Sequence, residues 1–180
     1  MKKLVYLSVV ISALLFVIGC GNGFAENGVY PSNKQMVREA KKDITEITYD
    51  DFKAKLENKE LRLVIDIREP GEFEDGFINQ EDEETEEFPY PDAFTVNIPR
   101  GLLEFKIDSK KYWDDDLMVD MPSKNEEIVV YCKAGGRAAM AANTLMKMGY
   151  TNVKSLKGGY KKWLDPTAPE VEEEVVDEGG

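Results

Sequence analysis

Two stretches of the chain are apolar at consecutive positions, Leu63-Val64-Ile65 and Ile128-Val129-Val130-Tyr131. An extended segment of that kind buries both faces, which is the pattern of a strand inside a parallel sheet. The first run belongs to a strand predicted over Leu61–Ile67, with Asp66 and Arg68 at its carboxyl end, and the second runs directly into Cys132. Phe94 to Ile98 and Val153 to Leu156 read as further strands, and Ile44 to Thr48 as a short edge strand.

Between the strands the period changes. Ala138, Ala141, Ala142, Leu145 and Met148 fall at helical spacing, with Lys147 in the last turn and Gly149 just beyond it. Met140, Met146 and Met148 read as gap-filling core residues. Ser32 with Gln35 and Thr48 with Asp51 have the spacing of helix-start caps, the first before Met36, Val37 and Ala40, the second before Phe52 and Leu56. Glu69-Pro70 begins a short turn that carries Phe73 and closes at Gly76, Leu102 to Ile107 suggests another turn, and Tyr160 to Leu164 a short helix. Lys110 to Asp120 has no clear period, and Tyr112 and Trp113 within it read as packing residues. Alternating strands and helices predict an α/β domain with a parallel sheet over 44–164, and in such sheets sites lie at the carboxyl ends of strands.

The margins of the chain are different. Lys2 and Lys3 precede an uncharged stretch from Leu4 to Ile18. As a helix it would span about 22 Å, short of the roughly 30 Å hydrocarbon core, so it reads as an export signal over 1–19. Val17-Ile18-Gly19-Cys20 resembles a bacterial lipobox, which makes Cys20 the expected lipidated residue of a membrane-anchored envelope protein, facing the periplasm or the cell surface. Gly23-Phe24-Ala25 offers the alternative of ordinary cleavage. Residues 20–43 then form a tether with a short helix, and 165–180 an acidic tail with too few apolar residues to fold.

Charge and residue counts narrow the chemistry. The formal net charge is −12, and −14 without Lys2 and Lys3, which argues against a nucleic-acid partner. Seven carboxylates lie between Glu81 and Asp92, and six between Glu170 and Glu178; without these the remaining 22 acidic and 21 basic residues nearly balance. The segment 80–92 reads as an exposed, solvated insertion, with calcium binding or docking of a basic protein partner as its functional alternatives, although its carboxylate spacing does not match an EF-hand loop. The chain has no histidine, which excludes Ser/His/Asp and Cys/His catalysis and histidine-ligated zinc. With Cys20 assigned to the terminus, Cys132 has no intramolecular partner, so no cysteine-rich metal site is expected either.

Cys132 opens the sequence CKAGGR. A cysteine between a buried strand and a helix start meets backbone N–H groups and the positive end of the helix dipole. Gly135 and Gly136 let the loop curl so that its amides point inward, and Lys133 and Arg137 add positive charge; all favour the thiolate, the nucleophilic form.

CKAGGR after VVY resembles the active-site loop of the single-domain rhodaneses, a sulfurtransferase family. The resemblance extends to DIREPGEF at Asp66–Phe73, NIPRG at Asn97–Gly101, and GYTNV and GGYKKW nearer the carboxyl end. It implies a three-layer α/β domain, a central, mostly parallel five-stranded sheet with helices on both faces. It also implies that Cys132 takes a sulfane sulfur from a small anionic donor such as thiosulfate and passes it, as a persulfide, to a thiol or cyanide-like acceptor, without a cofactor. On this resemblance the amides of Lys133, Ala134, Gly135, Gly136 and Arg137 cradle the sulfur, Lys133 and Arg137 orient the donor, and Asp66 and Arg68 form a supporting pair, with a plain structural ion pair as their alternative. Gly76-Phe77-Ile78 departs from the Gly-His-Ile of many relatives. Two other readings compete: a cysteine-dependent phosphatase or arsenate reductase, whose loops usually place five residues between cysteine and arginine where this chain has four, and a non-catalytic envelope binding module.

Overall fold

The doubly apolar runs form the middle of a sheet. In the computed structural model the described residues are Tyr30 and 32–169; the export segment, Cys20 and the tail beyond Pro169 lie outside them. The strands are β1 (Thr45–Ile47), β2 (Leu63–Asp66), β3 (Phe94–Asn97), β4 (Ile128–Tyr131) and β5 (Val153–Leu156), in the order β1-β5-β4-β2-β3. Every pairing is parallel, so the mostly parallel sheet expected from sequence is wholly parallel. The helices are α1 (Asn33–Asp43), α2 (Tyr49–Glu57), α3 (Pro70–Glu74), α4 (Leu103–Ile107), α5 (Gly136–Lys147) and α6 (Gly159–Leu164).

Alternation along β2 and β4 divides the core into two layers. Leu63, Ile65, Ile128 and Val130 pack with Leu103, Ile107, Trp113 and the α5 residues Ala138, Ala141, Ala142 and Leu145. Val64, Val129 and Tyr131 pack on the other side with Phe52 and Leu56 of α2 and with Trp163 of α6. Alanines on α5 bring its axis close to the sheet, and each fully buried Leu, Ile or Val contributes roughly 1.5–3 kcal/mol. The cap half of both patterns forms: Ser32 Oγ accepts from Gln35 N–H and Thr48 Oγ1 from Asp51 N–H, each at 3.2 Å.

Two expectations change, and one unassigned stretch resolves. The helix assigned to the tether belongs to the folded unit, because α1 packs on α5: a Cβ on Gly136 would meet Val37 Cγ2 at 3.5 Å. Met146 is 40% exposed, so it fills no gap in the core; it lies on the outer face of α5. The unassigned Lys110–Asp120 stretch contains a π-helical turn, Tyr112–Leu117, which buries Trp113 and lets its Nε1–H donate to Ile107 O at 2.9 Å.

The topology then sets the site. After β2 the chain moves outward to β3, and after β4 it moves the opposite way to β5, so the neighbours β2 and β4 bracket the switch point of the sheet. Asp66 is in register with Tyr131, and Ile67 N–H donates to Tyr131 O at 3.0 Å. Asp66, Arg68 and Cys132 therefore leave the sheet side by side.

Candidate active site

The loop from Cys132 to Arg137 joins β4 to α5. Gly135 takes φ +97°, a conformation that side-chain-bearing residues rarely adopt, and this bend turns its N–H back to donate to Cys132 Sγ at 3.2 Å. Cys132 is 2% exposed, while Lys133 and Ala134 are exposed on the rim and Gly136 begins the helix. The loop is also clamped from the α6 side. Tyr160 N–H donates to Cys132 O at 2.8 Å and Lys161 N–H to Lys133 O at 3.0 Å. Gly159, at φ +59°, lies so close that a Cβ there would overlap Cys132 O and sit 3.0 Å from the Ala134 and Gly135 nitrogens. The Gly158-Gly159 pair, a simple turn by sequence, is thus the floor against which the loop is shaped.

Arg137 is on the first turn of α5, but it is not a free cation. Its Nη1 and Nη2 donate to Glu72 Oε2 and Oε1 of α3 at 2.7 and 2.9 Å, a bidentate pair with both side chains about 30% exposed, 31% for Arg137 and 29% for Glu72. Glu69 N–H also donates to Glu72 Oε2 at 3.2 Å. The Arg137 hydrogen bond is the main reason the Glu72 carboxyl is pulled from 4.5 down to about 2. The guanidinium is shifted upward in turn, first by Glu72 and, against some burial, by the neighbouring Cys132. The donor-orienting role expected of Arg137 therefore has a competitor built into the protein. Sequence reading took only Phe73 from the α3 turn and missed Glu72, although the EPGE stretch was in view; its partner is 65 positions away.

Asp66 and Arg68 do come together. Arg68 Nε donates to Asp66 Oδ1 and Oδ2 at 3.0 and 2.9 Å, Nη2 to Asp66 Oδ2 at 2.6 Å and to Gly76 O at 2.7 Å. Arg68 is 3% exposed and its guanidinium carbon stands 4.1 Å from the centre of the Tyr160 ring. Burial opposes its charge, but the Asp66 hydrogen bond and charge outweigh that, and its pKa is raised. Tyr131, whose hydroxyl accepts from Ile78 N–H at 3.2 Å, is pushed upward chiefly by burial. The pair thus ties the end of β2, the Gly76 turn and the base of α6 together, the geometry of a brace behind the loop. Sequence reasoning did not single out Tyr131 or Tyr160 for this contact. Among the described residues no three His, Cys, Asp or Glu side chains converge as a metal site, and no helix is long and apolar enough to cross a membrane.

The family model for the rhodanese-like domain matches residues 48–166. A protein of Allochromatium vinosum named sulfurtransferase is 30% identical over 131 residues, which cover 71% of this chain and 98% of that protein. A Schizosaccharomyces pombe mitochondrial relative, 31% identical over 107 residues, is spanned over only 63% of its length, with 57% of this chain matched. Among solved structures, a Rhodopseudomonas palustris protein of unknown function, described as a "possible tyrosine phosphatase", is 31% identical, with 79% of this chain and 96% of that one covered and a TM-score of 0.57. A human single-domain sulfurtransferase shares the fold at 21% identity, 68% and 97% coverage and a TM-score of 0.55. A match that spans β2 to β5, the Cys132 loop and α6, together with the wholly parallel five-stranded architecture, means that this chain belongs to the rhodanese-like domain family.

Proposed function

We propose that the protein is a sulfurtransferase that carries a sulfane sulfur on Cys132. The observation that carries this reading is the Gly135 N–H donated to Cys132 Sγ at 3.2 Å inside a loop shaped by Gly135 and Gly159. A thiolate there attacks the outer sulfur of thiosulfate; the S–S bond of the donor breaks, sulfite leaves with its electron pair, and Cys132 becomes a persulfide. An acceptor such as cyanide or a thiolate then takes the terminal sulfur and restores the Cys132 thiolate, so the cycle needs no external oxidant or reductant. The inward Gly135 N–H stabilises the negative charge on the persulfide without a proton donor, in a chain that has no histidine. Intact mass after incubation with thiosulfate tests the reading: one added sulfur on the wild type and none on Cys132→Ser. An unmodified wild type that also fails to turn over thiosulfate with cyanide would overturn it.

A phosphatase is the second reading, favoured by the description of the R. palustris neighbour. Against it, four residues separate Cys132 from Arg137 where such loops usually have five, giving a smaller cradle. Hydrolysis of a phosphate ester, assayed beside sulfur transfer, separates the two. The proposal includes an envelope location with lipid on Cys20, supported by the lipobox-like sequence; release from membranes on Cys20→Ser is the expected result.

A further inference from the structure

The acidic stretch after α3 is not a featureless loop. Asn79, buried and at φ 65°, staples its base: Nδ2 donates to Tyr90 O at 3.0 Å and Ala93 O at 2.8 Å, and Oδ1 accepts from Tyr90 N–H at 2.8 Å. The tip is a turn in which Asp82 N–H donates to Glu87 O at 2.9 Å and Glu86 N–H to Asp82 O at 2.8 Å. Asp82 Oδ1 accepts from Glu84 N–H, Thr85 N–H and Thr85 Oγ1. These bonds hold Glu81, Glu83, Glu84, Glu86 and Glu87 outward, and among the described residues none of the five has an ion-pair partner.

Beside this turn lies a cleft of about 380 Å³, lined by Phe77, Asn79, Phe88, Pro91, Phe94 and Thr95 among others. Phe88 is 49% exposed, although it could have been packed away or replaced by another carboxylate in so acidic a stretch. Phe94 and Thr95 belong to β3, the last strand of the sheet, whose outer edge no strand covers among the described residues, and the Thr95 hydroxyl has no hydrogen-bond partner. A second recess, lined by Phe77 and Phe88 together with Glu81, Asp82, Glu83 and Glu86, joins the cleft to the acidic turn.

We propose that this surface docks an extended, basic segment of a partner protein that carries one large apolar side chain. The apolar side chain fills the Phe77–Phe88–Phe94 cleft, the segment runs along the free edge of β3, and its Lys and Arg residues face the carboxylates of the turn. Three features decide for such an occupant. The carboxylates are spread along a turn and do not converge as a metal site among the described residues, so a cation distributed along a chain fits them better than a single ion. An apolar cleft needs a complementary group that charge alone does not supply. An edge strand supplies main-chain pairing to an extended segment. The proposal does not depend on the sulfur chemistry, because none of these residues belongs to the Cys132 loop.

Fluorescence anisotropy on the full chain tests it with three short labelled peptides: Lys/Arg with a central Phe, the same peptide with Ser for Phe, and an acidic peptide with the same Phe. The expected order is basic-Phe tightest, by about tenfold or more over basic-Ser, with no measurable binding of the acidic peptide. Binding should weaken as the Debye length falls from about 30 to 8 Å between low and physiological salt. Phe88→Ala should erase the preference for Phe, and Glu81→Gln, Glu83→Gln, Glu86→Gln and Glu87→Gln together should erase binding of both basic peptides, while both variants keep thiosulfate:cyanide turnover. Equal binding of the two basic peptides, or a Phe preference that survives Phe88→Ala, overturns the proposal.

Discussion

Replacing Glu72 with Gln removes a charge from the ion pair beside the Cys132 loop and leaves its shape. The Glu72 carboxyl titrates at 4.5 when free and at about 2 in the fold. Because the folded value is depressed, its contribution to stability is fully present above 4.5 and is lost as the pH falls through 2. Taken at face value the shift corresponds to about 3.4 kcal/mol at pH 7, about 1.4 kcal/mol at pH 3 and about 0.4 kcal/mol at pH 2. Both partners are about 30% exposed, 29% and 31%, so solvent screening reduces the pH 7 figure to about 1–2 kcal/mol, with the same proportional decline. Urea denaturation of wild type and Glu72→Gln should therefore show a gap of that size at pH 7 that narrows by more than half at pH 3. A gap that is the same at both pH values would mean that the variant loses packing and not charge, and the electrostatic account of the pair would be wrong. In kinetics the same substitution should lower the KM for thiosulfate, since it removes a negative charge and a competitor for Arg137; an unchanged KM would mean that Arg137 does not face the donor.

Three further outcomes follow from the same geometry. Arg137→Ala should raise the thiosulfate KM by about tenfold or more, because it removes a cation and leaves Glu72 unpaired beside the loop, whereas removing 170–180 should change it by less than about twofold at physiological salt; initial-rate kinetics on both variants compares them directly. Lys133, exposed and without an ion-pair partner among the described residues, should lose its effect as salt is added: Lys133→Ala raises KM at low ionic strength and little at about 0.5 M. Gly159→Ala forces a methyl group into Cys132 O at a positive φ and should cost about 2–4 kcal/mol, read as a lowered urea midpoint, together with a loss of turnover beyond what unfolding explains.

The parts of this architecture that were legible in the sequence are those carried by short-range pattern. β2 and β4 announce themselves because burial on both faces leaves no polar position in the run, and α5 because its alanines recur with the helical period while Gly149 stops it. The loop chemistry was legible for the same reason: Cys132, Gly135 and Arg137 are neighbours in the chain. Glu72 was not, because its meaning depends on α3 being laid against the first turn of α5, a consequence of strand order that no local window contains. Gly159 is the same kind of case; its positive φ is visible as a turn, but the carbonyl it would strike belongs to another loop. α1 was read as part of a tether because it carries few apolar residues, and the packing of Val37 beside Gly136 of α5 shows where that narrow face goes.

The local electrostatics also revise how an acidic protein can receive an anion. Two cations in CKAGGR suggest a positively charged mouth, but Glu72 cancels one of them at hydrogen-bond distance, and Asp66 binds the nearby Arg68 in the same way. On the proposed reading, what remains for an incoming dianion is the exposed Lys133, the Gly135 N–H beside Cys132 Sγ and whatever Arg137 can share. Amide dipoles act over a few ångströms and are indifferent to bulk salt, while Lys133 acts over the screening length. On the proposed sulfur chemistry, capture and transfer fall to different groups: the exposed lysine for approach, and the Gly135 amide for the sulfur itself. The Glu72–Arg137 pair stands between the two: bidentate, on the first turn of α5, and with side chains 29% and 31% exposed, within reach of a competing anion. If that division holds, donor affinity should respond to salt through Lys133 while the rate of sulfur transfer at saturation does not.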